Sequence, residues 1–152
     1  MRCKLAFLSL AIAFTFPSFA ALASNKIIGK WQSTDSETQK PSSIVTIKEV
    51  NNAYVGTITK IFAENNHKVS DVCVKCKGDL RNKPIMGMNI LHAQIEPNGA
   101  IKSCAILDPQ QGAVYHCTID LVNGGKTIKL HGYIGMPLIG RTEYWQRSDD
   151  NA

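Results

Sequence analysis

From Ile27 to Arg147 the chain alternates apolar and polar side chains in runs of six to ten residues. The three-to-four-residue spacing of an amphipathic helix is almost absent. Alternation of period two puts one set of side chains on each face of an extended strand. The runs predict strands over 27–33, 43–50, 53–62, 85–95, 100–108, 113–123, 126–134 and 139–147. Turn-forming residues separate them: "NN" at Asn51, "PNG" at Pro97, "DPQQG" at Asp108, "NGG" at Asn123 and "GMP" at Gly135. Eight consecutive strands with short connections describe an all-β chain, an up-and-down antiparallel barrel or a sandwich. The segment 63–84 is the one long connection.

Register follows from matching faces, because a slip of one residue moves every side chain to the other face. A two-residue turn at Asn51–Asn52 sets Val45 opposite Ile58 and Ile47 opposite Gly56, leaving Thr46–Thr57 and Lys48–Val55 on the other face. A turn at Asn98–Gly99 sets Leu91 opposite Ile106 and Ala93 opposite Cys104. A type I′ turn at Gly124–Gly125 sets Leu121 opposite Ile128 and Ile119 opposite Leu130. A four-residue loop from Pro109 to Gly112 brings Asp108 to Ala113, Ile106 to Tyr115 and Cys104 to Cys117. Cysteines that face each other across a hairpin can come within bonding distance. The expected bridges are therefore Cys104–Cys117 and, from the pair that remains, Cys73–Cys76.

Before the first strand the pattern changes. Arg2 and Lys4 precede an apolar run from Leu5 to Phe16, closed by Pro17 and "SFAALAS". Basic, apolar and small-residue regions in that order form a secretory signal, with the cut expected after Ala23 and the bond after Ala20 as second choice. A membrane anchor needs roughly twenty apolar residues, more than this run holds. The expected product is an exported protein, periplasmic or secreted, with one domain over 24–152 and no transmembrane segment. Removing 23 of 152 residues leaves 129, and the charge falls from +5 to +3 because two basic residues leave with the signal. The remaining basic residues are scattered without aromatic interleaving, which argues against a nucleic-acid partner.

Cys3 also leaves with the signal, and an even set of four cysteines in an exported chain favours two disulfides. A four-cysteine zinc site fits poorly, because twelve residues separate the second pair. The C-x-x-C of "DVCVKCKGD" has thiol-oxidoreductase spacing, and Lys75 and Lys77 would favour a thiolate. It lies, however, in a loop of an all-β chain, away from the helix N-terminus that activates such thiols. A covalent loop staple is the favoured reading, with redox activity at Cys73 and Cys76 as the alternative.

The last hairpin places charge inside. If Gly135 to Leu138 form its loop, Ile134 faces Ile139, Gly132 faces Arg141, Leu130 faces Glu143 and Ile128 faces Trp145. Arg141 and Glu143 then point inward as each other's partner, with space at Gly132 for the guanidinium. Tyr54, Asn89 and Tyr115 also fall on inner faces. An apolar cup with a few inward polar groups suits a small ligand. Arg141, Glu143, Tyr115, Tyr54 and Asn89 are thus the candidate ligand-binding residues, and a filled barrel with a polar plug is the alternative. His67, His92, His116 and His131 fall in a loop or on outer faces, so no metal is expected, nor any cofactor. No G-x-S-x-G, H-E-x-x-H or phosphate-cradling glycine loop occurs. Asp108 before Pro109 reads as turn chemistry, and no catalytic residue is assigned.

Four segments carry a family resemblance: "GKW" at Gly29, "KPIMGMNIL" at Lys83, "ILDPQQGAVY" at Ile106 and "LHGYIGMPLIGRTEYWQR" at Leu130. In these the chain resembles domain-of-unknown-function family 2147, small exported bacterial proteins. The resemblance implies a lipocalin-like, calycin-type up-and-down β-barrel of about eight antiparallel strands, and it implies no activity. The chain is also similar to lipocalins, which open with Gly-x-Trp and close with an Arg over that Trp. Gly29 and Trp31 fit the opening, and Arg147 (or Arg141) would supply the cation, all in structural roles. Three functions are consistent with these features. One is a carrier or sensor of a small amphipathic or acidic ligand; another is an envelope protein with a filled barrel and an unnamed partner. The third is a thiol-disulfide enzyme.

Overall fold

A computed structural model describes residues 27–35, 38, 40–62 and 71–148 of the chain. The eight strands are β1 (Gly29–Thr34), β2 (Pro41–Val50), β3 (Ala53–Ile61), β4 (Asn89–Ile95), β5 (Ile101–Asp108), β6 (Ala113–Val122), β7 (Thr127–Tyr133) and β8 (Gly140–Arg147). Each pairs with the next, and β8 returns antiparallel to β1 to close a barrel. The sandwich alternative therefore falls away.

The hairpin registers are those that face matching predicts. Val45 pairs with Ile58, Leu91 with Ile106, Asp108 with Ala113, Leu121 with Ile128, and Gly132 with Arg141. Asn51 and Asn52 both have positive φ, as a type I′ turn requires. The loop at Gly124–Gly125 is longer than expected: the ladder ends at Val122–Thr127, and Asn123–Gly125 form a 3₁₀ turn. β4 starts four residues later than alternation suggests, because the chain before it pairs with itself. Cys73 N–H donates to the Lys83 carbonyl at 2.9 Å, and Asn82 N–H to the Cys73 carbonyl at 2.8 Å, around a Val72–Pro84 bridge.

A second irregularity corrects an assignment. Gly56 pairs with Leu91 but Thr57 with Asn89, so Ile90 is an inserted residue in the ladder. Ile90 and Leu91 are consequently both buried, and Asn89 turns to the outer face, where the Thr57 hydroxyl donates to its Oδ1 at 2.6 Å. Asn89 is therefore not an interior residue.

One end of the barrel is closed by aromatics. Trp31 is fully buried, its indole N–H donating to the Ile27 carbonyl at 2.8 Å. The Arg147 guanidinium lies 4.2 Å from the Trp31 ring centre and donates to the carbonyls of Gly125 and Ile28. Arg147, rather than Arg141, is thus the covering cation, a contact that contributes about 1 kcal/mol. Gly29 is required beside it: its φ is +136°, and an added Cβ would stand 2.9 Å from Arg147 Nη1. Tyr54 is buried toward this closed end, near the β2–β3 turn.

Both disulfides are those expected, Cys73–Cys76 and Cys104–Cys117. The β5–β6 ladder covers Ala105–Asp108 and Ala113–His116, and the covalent pair is the next step in register. The Cys73–Cys76 segment rests on the β5–β6 turn. Cys73 Sγ lies 3.1 Å from the Pro109 carbonyl oxygen, and Gly112, at φ +66°, leaves no room for a Cβ beneath the Lys75 carbonyl.

Candidate functional site

The other end of the barrel is open, and the described residues Asp35, Phe62, Ile85, Pro109, Ile134 and Ile139, next to or within the strand connections there, line it. A cavity of about 550 Å³ runs in from this mouth. Its walls are mainly apolar, with Ile58, Ile90, Ile106 and Leu130 among them and Trp145 at the deep end. This half of the barrel is hollow, unlike the packed half around Trp31. Position along β8 sets depth: Arg141 is exposed at the rim, Glu143 half-buried below it, and Trp145 buried at the floor.

Glu143 accepts a hydrogen bond from the Trp145 indole N–H at 3.2 Å. Burial pushes its carboxyl above the ordinary value of 4.5, opposed by that hydrogen bond and by the positive charge of Arg141. Arg141 acts on it only through space. Among the described residues no hydrogen bond or ion pair holds the Arg141 guanidinium, so the expected mutual pairing is replaced by the indole contact. Nor does the guanidinium occupy the space at Gly132. A Cβ there would meet Tyr115 Cβ at 3.6 Å and Ile106 Cγ2 at 3.8 Å, ordinary contacts that leave the cavity open.

Tyr115 lines the cavity and donates from its hydroxyl to Gln111 Oε1 at 3.3 Å. Asp108 shapes the adjoining turn, accepting from the backbone N–H of Gln110 at 2.8 Å and of Gln111 at 3.2 Å. It acts as a loop former. Tyr54, although buried, is not part of the cavity wall. Of the five candidate residues, the fold brings Arg141, Glu143 and Tyr115 to one space and separates Tyr54 and Asn89 from it.

A polar group that sequence reasoning missed lies on β1 and β2. Ser33 Oγ stands 2.8 Å from Ser42 Oγ and 2.7 Å from Ser43 Oγ, and all three residues line the cavity. The available signal was parity, since Ser33 shares the inward face of Trp31. The described histidines, His92, His116 and His131, do not line the cavity. His131 donates from Nε2 to the Pro137 carbonyl at 2.8 Å and accepts at Nδ1 from Thr142 at 2.9 Å, tying down the β7–β8 loop. His67 lies outside the described residues, and among those described no metal-holding cluster of His, Cys, Asp or Glu occurs.

Comparison with known proteins agrees with this architecture. The family described as "Uncharacterized protein conserved in bacteria (DUF2147)" matches residues 29–147. Among solved structures, protein HP1028 from the human pathogen Helicobacter pylori, described as belonging to the lipocalin family, is similar at a TM-score of 0.65. The two share 18% identity over 81% of this chain and 83% of that one, a likeness of fold alone. No curated protein matches the chain.

Proposed function

The chain belongs to that bacterial family, whose description carries no activity, and we propose that it is an exported carrier or sensor of a small amphipathic acid. The observation that carries this reading is Arg141, exposed at the rim of an apolar cavity of about 550 Å³ and held by no ion pair among the described residues. That volume falls in the range of small-molecule sites, which combine apolar walls with a few polar groups. A guanidinium suits a carboxylate or phosphate head through two parallel hydrogen bonds. The apolar wall would take the hydrocarbon part, with Tyr115 and the Ser33 cluster beside it. The N-terminal signal pattern supports export. The buried sulfurs of Cys73 and Cys76, packed on the Pro109 turn, support a staple over a redox pair.

The test is titration of the processed chain with a long-chain fatty acid and with the alcohol of the same length. A folded Arg141→Ala, Glu143→Gln double mutant removes the anchor without stranding a carboxylate. It is expected to bind the acid about tenfold or more weakly, as the loss of a charged hydrogen bond implies, and the alcohol nearly as the parent does. A double mutant equal to the parent for the acid, or a parent that binds neither, removes the carrier reading.

A further inference from the structure

Around the mouth, large apolar side chains face solvent. The β7–β8 loop carries no charge from Ile134 to Gly140, and Ile134, Met136, Leu138 and Ile139 are all exposed, Leu138 by 89%. The β3–β4 connection presents Val74, Leu80 and Met86, and Val114 stands beside the β5–β6 turn. Among the described residues, eight of the ten exposed large hydrophobic side chains therefore belong to this end, with Val50 and Tyr144 as the others. Apolar residues exposed singly are ordinary, whereas a concentration of them marks an interaction surface.

The β3–β4 connection carries a basic excess. From Asp71 to Pro84 the exposed residues include Lys75, Lys77, Arg81 and Lys83 against Asp71 and Asp79, while Arg141 shares the cavity lining with Asp35 and Asp108. Val74 and Lys75 are not on a loose tip. The Cys73–Cys76 bridge and the close fit of Lys75 over Gly112 hold them against the β5–β6 turn.

We infer that the mouth of the barrel docks on an anionic lipid bilayer. The tips of the β7–β8 and β3–β4 loops would enter the boundary between headgroups and acyl chains, with the bases against lipid phosphates. Apolar area and basic charge together are what an interfacial anchor combines. Separate apolar tips at an opening, one of them carrying the bases, match a fluid anionic surface better than the continuous face a rigid protein would need. Docking deepens the carrier reading and rests on it for its purpose: an amphipathic acid would pass between bilayer and cavity without crossing water.

The test is sedimentation of the processed chain, without added ligand, with vesicles of phosphatidylethanolamine and phosphatidylglycerol and with vesicles of phosphatidylcholine. The parent is expected to sediment with the anionic vesicles and to lose about tenfold or more in affinity at high salt, where phosphate contacts are screened. Met136→Asp, Leu138→Asp should keep the parent's thermal midpoint, since both positions are exposed, and lose about tenfold or more in vesicle affinity, because a charge on an inserting tip opposes burial. Lys75→Glu, Lys77→Glu should weaken binding to anionic vesicles only. A parent that stays in the supernatant, or a Met136→Asp, Leu138→Asp chain that sediments like it, overturns the inference. Lipid-free dimers abolished by Leu138→Asp would overturn it too, assigning the rim to a second copy. Fatty-acid titration without vesicles separates docking from the cavity. The loop variant should bind the acid normally, and the Arg141→Ala, Glu143→Gln chain should still sediment.

Discussion

Glu143 keeps its carboxyl between apolar walls, and burial holds its pKa above the ordinary 4.5 despite the Trp145 indole and Arg141. In the window between the unfolded and the raised folded pKa, the folded chain binds the extra proton. Its contribution to stability is therefore fully present below the unfolded value and is lost as pH rises through the folded one. Glu143→Gln should flatten that decline, measured as thermal midpoint against pH, while keeping an acceptor for the indole N–H. An alkyl sulfate, ionised throughout, should bind the parent more tightly as pH falls through the same window, and Glu143→Gln should lose that dependence. At the closed end, Gly29→Ala should cost about 1–3 kcal/mol in chemical denaturation, from a left-handed backbone and a displaced Arg147. Arg141, Glu143 and Tyr115 were legible as cavity-lining residues because strand parity decides which side chains face in. Asn89 was not, since one inserted residue at Ile90 reverses parity without a mark in the sequence. Tyr54 shows a different limit: parity gives the face of a strand, while depth along the barrel separates cavity wall from packed core.

Hairpins were the most readable elements, because two alternating strands and a turn of known length admit few registers. The β5–β6 hairpin even disclosed its covalent pair, Cys104 and Cys117, at the step where its ladder ends. Cys104→Ser, Cys117→Ser should destabilise the folded chain by about 2–4 kcal/mol, the loop-entropy scale for closing such a loop, as read from chemical denaturation. Cys73→Ser, Cys76→Ser opens a far shorter loop and should cost less in denaturant while altering protease sensitivity around Lys75 and Lys77. The pairing of the Cys73 and Lys83 segments was illegible. It is short, interrupted by Pro84, and stabilised partly by docking on a turn distant in sequence.

On the scale of the molecule, alternation predicted the number of strands, and the hairpin registers agreed with a closed barrel. Alternation could not tell which half would be hollow, because walls and core are both apolar and only the large residues Trp31, Tyr54 and Arg147 gather at one end. On the proposed export, the mature chain is expected to begin at Ser24, which N-terminal sequencing of the protein from its own host checks; retention of Leu5 to Phe16 would show an anchor instead. The seam between β1 and β8 has a consequence in time. A ribosome releases β1 first and β8 last, yet these are the strands that must join, and Arg147 bonds a carbonyl 119 residues earlier. Until that final strand is in place, the partly formed sheet keeps two unpaired edges, the feature that invites chains to pair with one another. The hazard of aggregation thus belongs to the interval before closure and disappears when the last strand zips shut.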